Sequence, residues 1–150
     1  KCTELGVDYF IRFVSSRSQG RQSSDRRKKK QQRLQTIVKT ACKQCGRLDL
    51  MELGRESVLA DVLKMEFVEP CQKLILWEEA GGLKLGDIHF QDSLQNICLM
   101  LGPEGGFSAS EVEEAVSCGW QSVSLGERIL RAETATISAV AITQHLLGAM

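Results

Sequence analysis

The sequence lacks the long apolar run that a membrane span needs, since none of its 150 residues lie in a stretch of roughly 18 apolar residues. No basic-then-apolar leader is visible, so no secretory signal is predicted. Proline occurs only twice and aromatics make up 5%, yet apolar residues reach 43% and charged residues 25%. These proportions exclude a disordered tail, a collagen and a disulfide-stapled miniprotein, and they are typical of one globular domain. Because the first residue is Lys1, we expect a fragment or a processed product.

The net charge is zero, but the charge is divided unevenly along the chain. Residues 1–75 carry 16 Lys/Arg against 9 Asp/Glu, whereas residues 76–150 carry 3 against 10. Such asymmetry indicates a surface that faces a polyanion, although the halves could also neutralise each other or simply be solvated. The densest basic run, residues 26–30 (RRKKK), predicts a phosphate-binding surface or an ordinary solvated helix face. No aromatic residues interleave it, so base stacking there is not expected.

Six cysteines are present, but only Cys42 and Cys45 have CxxC spacing, and no second pair or suitably spaced histidine completes a zinc site. The pair falls late in a helical pattern, where no helix N-terminus lowers the thiol pKa. We therefore interpret both as small helix-packing residues, with a metal or redox role as the alternative. Without a secretory signal, free thiols predict a reducing compartment, the cytoplasm.

Alternating strand and helix patterns predict an α/β fold with a parallel sheet. Residues 9–14 (YFIRFV) are typical of a strand, and residues 15–24 of a mobile loop. A helix from Asp25 is predicted to end at Gly46 and to bury one face, formed by Leu34, Ile37, Val38, Ala41 and Cys45. Continuous apolar runs predict buried strands at residues 74–77, 97–101 and 122–125. Further helices are predicted after the capping box at Ser108 and from Glu133 to about Leu147.

Each of the three apolar runs is followed by a loop of unusual composition: residues 78–82, 102–107 and 126–135. Ligands bind outside the carboxyl ends of parallel strands, so the three loops are expected to converge on one crevice. Glycines of residues 102–107 (GPEGGF) would let the backbone approach a ligand, although a tight turn is the simpler interpretation. The loop is neither a dinucleotide-binding nor a P-loop motif. A valine at Gly105 is expected to fill the space that a ligand needs.

Arg128 and Arg131 are two of the three basic residues in the acidic half. Either could hold a phosphate or a base oxygen, and either could instead pair with Glu127, Glu133 or Glu104. Residues 102–108 (GPEGGFS), followed by residues 124–135 (SLGERILRAETA), resemble the paired motifs of the RsmE-type 16S ribosomal RNA uridine-N3 methyltransferases of the SPOUT superfamily. Residues 3–7 (TELGV), 16–18 (SRS) and 44–47 (QCGR) resemble three shorter motifs of that family, so the resemblance covers essentially the whole chain.

The resemblance implies an α/β SPOUT methyltransferase domain over residues 1–150, truncated at its N-terminus, with a mostly parallel sheet, a C-terminal trefoil knot and a homodimeric assembly. The family's N-terminal PUA-like domain has no counterpart here. The resemblance also implies bound S-adenosylmethionine, no metal and no membrane. The residues expected to bind the cofactor lie within residues 76–78, 101–106 and 124–135; they are Leu76, Trp77, Glu78, Leu101, Gly102, Pro103, Glu104, Gly105, Gly106, Ser124, Leu125, Gly126, Ile129, Leu130, Ala132 and Thr134.

The reaction implied is methylation of a uridine N3 in 16S ribosomal RNA, free or in the small ribosomal subunit. Such a transfer depends mainly on positioning, on loss of the N3 proton to a carboxylate or water, and on a cation that stabilises the uridinate oxygens. We assign that cationic role to Arg131 or Arg128. Contacts with RNA are expected from Arg17, Arg47, Arg26, Arg27 and Lys28. The alternative is a non-catalytic RNA-binding protein that keeps the knotted fold.

Overall fold

A computed structural model describes residues 1–18, 24–67, 70–79, 81, 83–90 and 96–150. Its helices are α1 (Ser24–Cys45), α2 (Leu59–Leu63), α3 (Ala109–Ser117) and α4 (Ala132–Leu146), with a 3₁₀ turn at Leu85–Asp87. Its strands are β1 (Tyr9–Phe10), β2 (Phe13–Val14), β3 (Glu52–Leu53), β4 (Ser57–Val58), β5 (Cys71–Leu76), β6 (Asn96–Leu101) and β7 (Gln121–Val123). Within the described ranges, no helix is both long and apolar enough to cross a bilayer.

The main sheet is a three-stranded parallel sheet with the order β6-β5-β7, as the apolar runs predict. β5 is central because it pairs with β6 along its whole length and with β7 over its second half. The chain therefore leaves β5 in one direction to form β6 and returns past it to form β7. A reversal of this kind opens a crevice at the carboxyl ends of the strands. The predicted α/β fold with a parallel sheet is confirmed.

Both faces of β5 are covered, which is why its sequence is continuously apolar instead of alternating. Leu74 and Leu76 point to a cluster built with Leu85, Val123 and Ala139. Ile75 points the other way, to a second cluster that includes Met100, Phe107, Val112 and Trp120. Leu74 and Ile75 are fully buried, so the centre of the molecule lies on this strand.

The N-terminal region is assembled from shorter pieces than the sequence predicts. Residues 9–14 form two strands, not one: β1 pairs in parallel with β3, and β2 pairs in parallel with β4. Tyr9 pairs with Glu52, and Phe13 pairs with Ser57. The chain between the two pairs is therefore one residue longer on the side of β3 and β4 than on the side of β1 and β2, and the strand pairing is interrupted there. β3, β4 and α2 lie in a stretch for which the sequence predicts no elements.

Helix α1 is confirmed, and its end at Gly46 is explained by a backbone φ of +76° there, which favours glycine. Its buried face differs from the prediction. Val38 and Cys42 are buried against Met51, whereas Ile37 is 48% exposed and Cys45 is also exposed. Of the predicted face, Val38 is buried and Leu34 and Ala41 are half-buried, so the helix packs on the rest of the protein along a narrow stripe that excludes Ile37 and Cys45.

The two predicted C-terminal helices are also confirmed, with small shifts at their ends. At α3, the Ser108 hydroxyl accepts a hydrogen bond from the Glu111 amide, and the Glu111 carboxylate accepts one from the Ser108 amide. This reciprocal pair is the capping box that the sequence predicts. Helix α4 begins at Ala132 and packs on β6 and on the 3₁₀ turn, burying Ala139, Val140 and Thr143.

Candidate functional site

The carboxyl ends of β5, β6 and β7 open into one cleft of about 560 Å³. Small-molecule sites usually enclose roughly 300–1,000 Å³, so the cleft is large enough for a nucleoside-sized ligand. Its wall consists of the end of β5, the loop after β6, the loop after β7 and the start of α4: Leu76, Trp77, Glu78, Leu101, Gly102, Pro103, Glu104, Gly106, Leu125, Gly126, Arg128, Ile129, Leu130, Arg131, Ala132, Glu133 and Ala135. The predicted convergence of three separate loops is confirmed. Residues 80 and 82 of the first loop lie outside the described residues.

Thirteen of the sixteen residues predicted to bind the cofactor line this cleft, as do Arg128 and Arg131. Gly105, Ser124 and Thr134 do not. Glu133 and Ala135 also line it, although the sequence analysis does not single them out within its third loop. The helical spacing of residues 131, 132 and 135 could have indicated Ala135, because positions three and four apart share a helix face.

The glycine loop, defined here as residues 102–107, folds tightly on itself. The Gly106 amide donates to the Pro103 carbonyl at 2.9 Å, and Gly106 has a φ of +66°. A Cβ at Gly106 would lie 2.5 Å from the Glu78 Oε1, and a Cβ at Gly102 would lie 3.2 Å from the Gly106 backbone. The positive φ favours glycine at Gly106, Gly102 is tightly packed, and both put bare backbone on the cleft wall.

Gly105 faces away from the cleft, which corrects the expectation for a valine at this position. A Cβ at Gly105 would meet the Arg17 Cβ at 3.1 Å and the Arg17 carbonyl oxygen at 3.4 Å. A side chain at Gly105 would thus push against Arg17 and not into the ligand space. Adjacent glycines in a tight turn point in different directions, which the sequence alone does not reveal.

Ser124 and Thr134 are directed elsewhere for separate reasons. Ser124 is buried, and both its amide and its hydroxyl donate to the Leu83 carbonyl, at 2.9 and 3.5 Å. It extends the sheet by one bridge to Lys84. Thr134 is exposed near the start of α4. Neither residue lies on the cleft wall.

Charges of both signs line the cleft. Glu78, Glu104 and Glu133 bring carboxylates, and Arg128 and Arg131 bring guanidinium groups. Among the residues that the structure describes, neither arginine has an ion pair within 4 Å, so the alternative pairing with Glu127, Glu133 or Glu104 is not observed. The wall can therefore face a ligand that carries positive and negative groups together.

The N-terminal segment reaches the helix that follows the glycine loop. The Ser16 amide donates to the Glu111 Oε1 at 2.7 Å, while Glu111 also receives the Ser108 amide at 2.9 Å. Partial burial on its own would raise the pKa of the Glu111 carboxyl, but these hydrogen bonds outweigh it and hold the pKa below its usual value. Glu111 is thus held as a carboxylate between two regions of the chain.

The residues predicted to contact RNA fall into two groups. Arg26, Arg27 and Lys28 are exposed in the first turns of α1, where Arg27 Nε lies 3.9 Å from a Glu56 carboxylate oxygen. Arg17 and Arg47 make intramolecular hydrogen bonds instead. The Arg47 Nη1 donates to the Val7 and Thr3 carbonyls at 2.7 and 3.1 Å, and Nη2 pairs with Asp8 at 2.7 Å. The α1 group is exposed and Arg17 also remains exposed despite its hydrogen bonds, whereas Arg47 is half-buried.

The CxxC pair splits between two environments. Cys42 packs in the core with Val38 and Met51, as a helix-packing residue should, whereas Cys45 is exposed and its thiol lies 3.7 Å from the Cys42 carbonyl. None of the six cysteines, all of which lie in the described ranges, forms a disulfide, and the Cys71 and Cys98 sulfurs lie 3.4 Å apart. In the described part of the chain, no three metal-ligating side chains come together.

Comparison with known proteins identifies the family. Residues 1–144 match the family model described as RNA methyltransferase domain. The chain is 34% identical over 137 residues to the ribosomal RNA small subunit methyltransferase E of Mesomycoplasma hyopneumoniae, covering 91% of this chain and 58% of that protein. It is also 34% identical over 145 residues to the protein of the same name in Aquifex aeolicus, covering 97% and 60%. These matches confirm the resemblance to the RsmE-type methyltransferases.

Solved structures give the same result. The ribosomal RNA small subunit methyltransferase E of Neisseria gonorrhoeae, bound to S-adenosylmethionine, superposes with a TM-score of 0.85 at 37% identity, over 96% of this chain and 58% of that one. A Legionella pneumophila protein assigned as a methyltransferase, in complex with the same cofactor, gives 0.86 at 32% identity, over 95% and 57%. The chain thus spans about three fifths of the length of the relatives it matches. On its sequence and on its fold, this chain belongs to the RNA methyltransferase domain family.

Proposed function

We propose that this chain is the catalytic domain of an S-adenosylmethionine-dependent methyltransferase that modifies N3 of a uridine in 16S ribosomal RNA. The observation that carries the proposal is the cleft, in which three strand-end loops bring together bare glycine backbone and two guanidinium groups that form no ion pair with any described residue. The relatives that bear the name ribosomal RNA small subunit methyltransferase E support the choice of substrate.

The cleft suits S-adenosylmethionine on three counts. Its volume is appropriate, Gly102 and Gly106 form a wall that a Cβ would disturb, and its carboxylates and guanidiniums match a ligand with cationic and anionic groups. Leu76, Leu101 and Leu130 give that wall its apolar part. When bound, S-adenosylmethionine supplies a methyl carbon on a positively charged sulfur. The glycine loop and the start of the third loop would hold it, and the apolar wall would exclude water.

Arg131, with Arg128 beside it, would act on the acceptor. A uridine N3 carries its proton at neutral pH, so the nucleophile has to be generated as negative charge spreads to the base oxygens. A guanidinium without a carboxylate partner can stabilise that charge without first breaking an ion pair. The proton would leave to a carboxylate of the cleft or to water. Arg26, Arg27 and Lys28 of α1 would bind RNA phosphates.

Arg131→Ala tests the catalytic role. We expect methyl transfer to unmodified 16S ribosomal RNA or small subunits to fall by about 10²–10³ in kcat, the usual effect of removing one stabilising group. S-adenosylmethionine affinity, measured by calorimetry, should stay within a few-fold. Arg128→Ala separates the two arginines, and Arg55→Ala, an exposed arginine outside the cleft, is the control. Unchanged turnover in both cleft variants would contradict the assignment. Mass mapping of a product other than 3-methyluridine would contradict the target atom.

Gly106→Ala tests the cofactor site. The new methyl group would lie 2.5 Å from the Glu78 carboxylate, which must move away, and it would sit at a backbone φ of +66°, which strains the loop. We expect calorimetry to show at least about ten-fold weaker S-adenosylmethionine binding. Gly86→Ala is the matched control, because nothing lies within 4 Å of its Cβ position. Wild-type affinity in Gly106→Ala would place the cofactor elsewhere. RNA binding without any cofactor binding by the wild-type protein would favour the non-catalytic alternative.

The resemblance also supports a trefoil knot, a homodimer and a cytoplasmic location beside the ribosome, which we propose together with the activity. Ile129 is 84% exposed on the cleft wall, where a second subunit would cover it. Light scattering should give twice the 16.6 kDa mass of the chain. A monomer at micromolar concentration that still transfers methyl groups would overturn the dimer.

A further inference from the structure

Three contacts join the segment that contains Arg17 to the segment that begins at Gly105. The Phe13 and Phe107 rings stack, with centroids 6.1 Å apart and planes 5° from parallel. The Arg17 Nη1 donates to the Gly105 and Phe107 carbonyls at 3.0 and 3.3 Å. The Ser16 amide donates to the Glu111 carboxylate at 2.7 Å. Phe13, Ser16 and Arg17 of the N-terminal region thus contact the glycine loop and the start of α3.

The Arg17 guanidinium binds the glycine loop at the residues on either side of Gly106. It holds the carbonyls of Gly105 and Phe107, which come immediately before and after the glycine that lines the cleft. On the other side of the loop, Arg17 fills the space into which a Gly105 side chain would point. Arg17 therefore fixes the peptide group that precedes Gly106 and the one that follows Phe107, with hydrogen bonds from a charged donor, which are stronger than neutral ones.

A glycine-rich loop has many accessible conformations, so it loses more entropy than other segments when a ligand orders it. A contact that orders the loop beforehand improves ligand affinity. We propose that Arg17 is a positioning residue, which holds the glycine loop in its ligand-ready conformation and so links the basic N-terminal region to the cofactor cleft. This inference rests on the proposed function for the identity of the ligand, but not for the ordering of the loop. It differs from the expectation that Arg17 contacts RNA.

The first test follows the loop without any ligand. We expect Arg17→Ala to speed hydrogen exchange of the Gly106 amide, which donates to Pro103, by several-fold or more. Arg17→Lys can still donate to one carbonyl, so its exchange should lie between those of Arg17→Ala and the wild type. Arg55→Ala controls for the loss of one exposed positive charge and should match the wild type. Equal exchange in all four proteins would overturn the inference.

The second test separates cofactor binding from RNA binding. In Arg17→Ala we expect the Kd for S-adenosylmethionine, measured by calorimetry, to rise about ten-fold, while the Kd for 16S ribosomal RNA changes less than two-fold. In turnover, KM for the cofactor should rise more than kcat falls. The opposite pattern, with RNA affinity lost and cofactor affinity kept, would make Arg17 an RNA ligand and overturn the inference.

The two proposals fail in different ways. If the wild-type protein binds no S-adenosylmethionine but Arg17→Ala still loosens the loop, the proposed function fails and the positioning role stands. If the wild type binds the cofactor and Arg17→Ala changes neither exchange nor affinity, only the positioning role fails. Should Arg17→Ala not fold, Arg17→Lys decides by the same two measurements: intermediate values support the inference, and wild-type values overturn it.

Discussion

The N-terminal half of the chain, up to residue 67, and the C-terminal half, from residue 70 onward, are built differently. In the C-terminal half, β5 is buried on both faces between two apolar clusters. In the N-terminal half the described strands are two residues long, and half-buried polar contacts join the segments beside them. Arg12 pairs with Glu56 at 2.9 Å and donates to Gln31 of α1, and Arg47 binds the N-terminal turn. Two-residue strands bury little apolar surface themselves, so directional hydrogen bonds add to the small apolar cluster of Val38, Cys42 and Met51 in holding that half together.

The apolar sheet and the polar N-terminal half have different roles. The continuous sheet gives the cleft a rigid base, while the polar N-terminal half leaves its positive charges near the surface for a partner. The acidic half keeps only three basic residues, Lys84, Arg128 and Arg131, and two of them line the cleft. Because this half has so few basic residues, the two guanidinium groups are a feature of the cleft and not part of a generally basic surface.

Removing buried apolar volume from the central strand should have the largest effect. Ile75→Ala deletes a fully buried side chain from the central strand, so we expect the free energy of unfolding to fall by about 2–5 kcal/mol. Ile37→Ala, the same substitution at a half-exposed site of α1, should cost below about 1 kcal/mol. Urea unfolding measures both. Equal losses of unfolding free energy in the two variants would contradict this difference between β5 and α1.

Removing the polar contacts of Arg47, in the N-terminal half, should have the next largest effect. Arg47→Met keeps the apolar stem but loses the bonds to the Thr3 and Val7 carbonyls and to Asp8, at an expected cost of about 1–3 kcal/mol. Hydrogen exchange should rise first in residues 1–8. Arg55→Met is the control, since Arg55 is exposed. Unchanged exchange in residues 1–8 would show that this half is held by other contacts.

The smallest effect should come from Glu111, where the two halves meet. The folded-state pKa of this carboxyl lies below the ordinary value of 4.5, so its stabilising contribution is complete above that pH and is lost as the pH falls through the folded pKa. Glu111→Gln should lower the free energy of unfolding at pH 7 by about 1 kcal/mol or less. That difference should shrink in acid. Glu113→Gln, at an exposed neighbour, is the matched control for the loss of one negative charge.

The sequence was sufficient for features that depend on neighbouring residues. Continuous apolar runs predicted the parallel sheet, the spacing of Ser108 and Glu111 predicted the capping box, and loops at strand ends predicted the cleft. It was insufficient for β3 and β4, because two-residue strands have no measurable periodicity. It was also insufficient for the contact between Arg17 and Gly105, which are 88 residues apart and meet only in the folded chain.

The pairing of the strands also determines the order in which the protein can form. Throughout the described ranges every strand pair is parallel, and partners are at least 25 residues apart, as for Cys71 and Asn96. Leu74 pairs with Gln121, which lies 47 residues further along the chain. Distant parallel pairs close slowly, because loop entropy is lost before any contact is gained. During synthesis, β5 would therefore emerge with one edge unpaired until β7 follows, and a chaperone that shields this edge would raise the yield of folded protein.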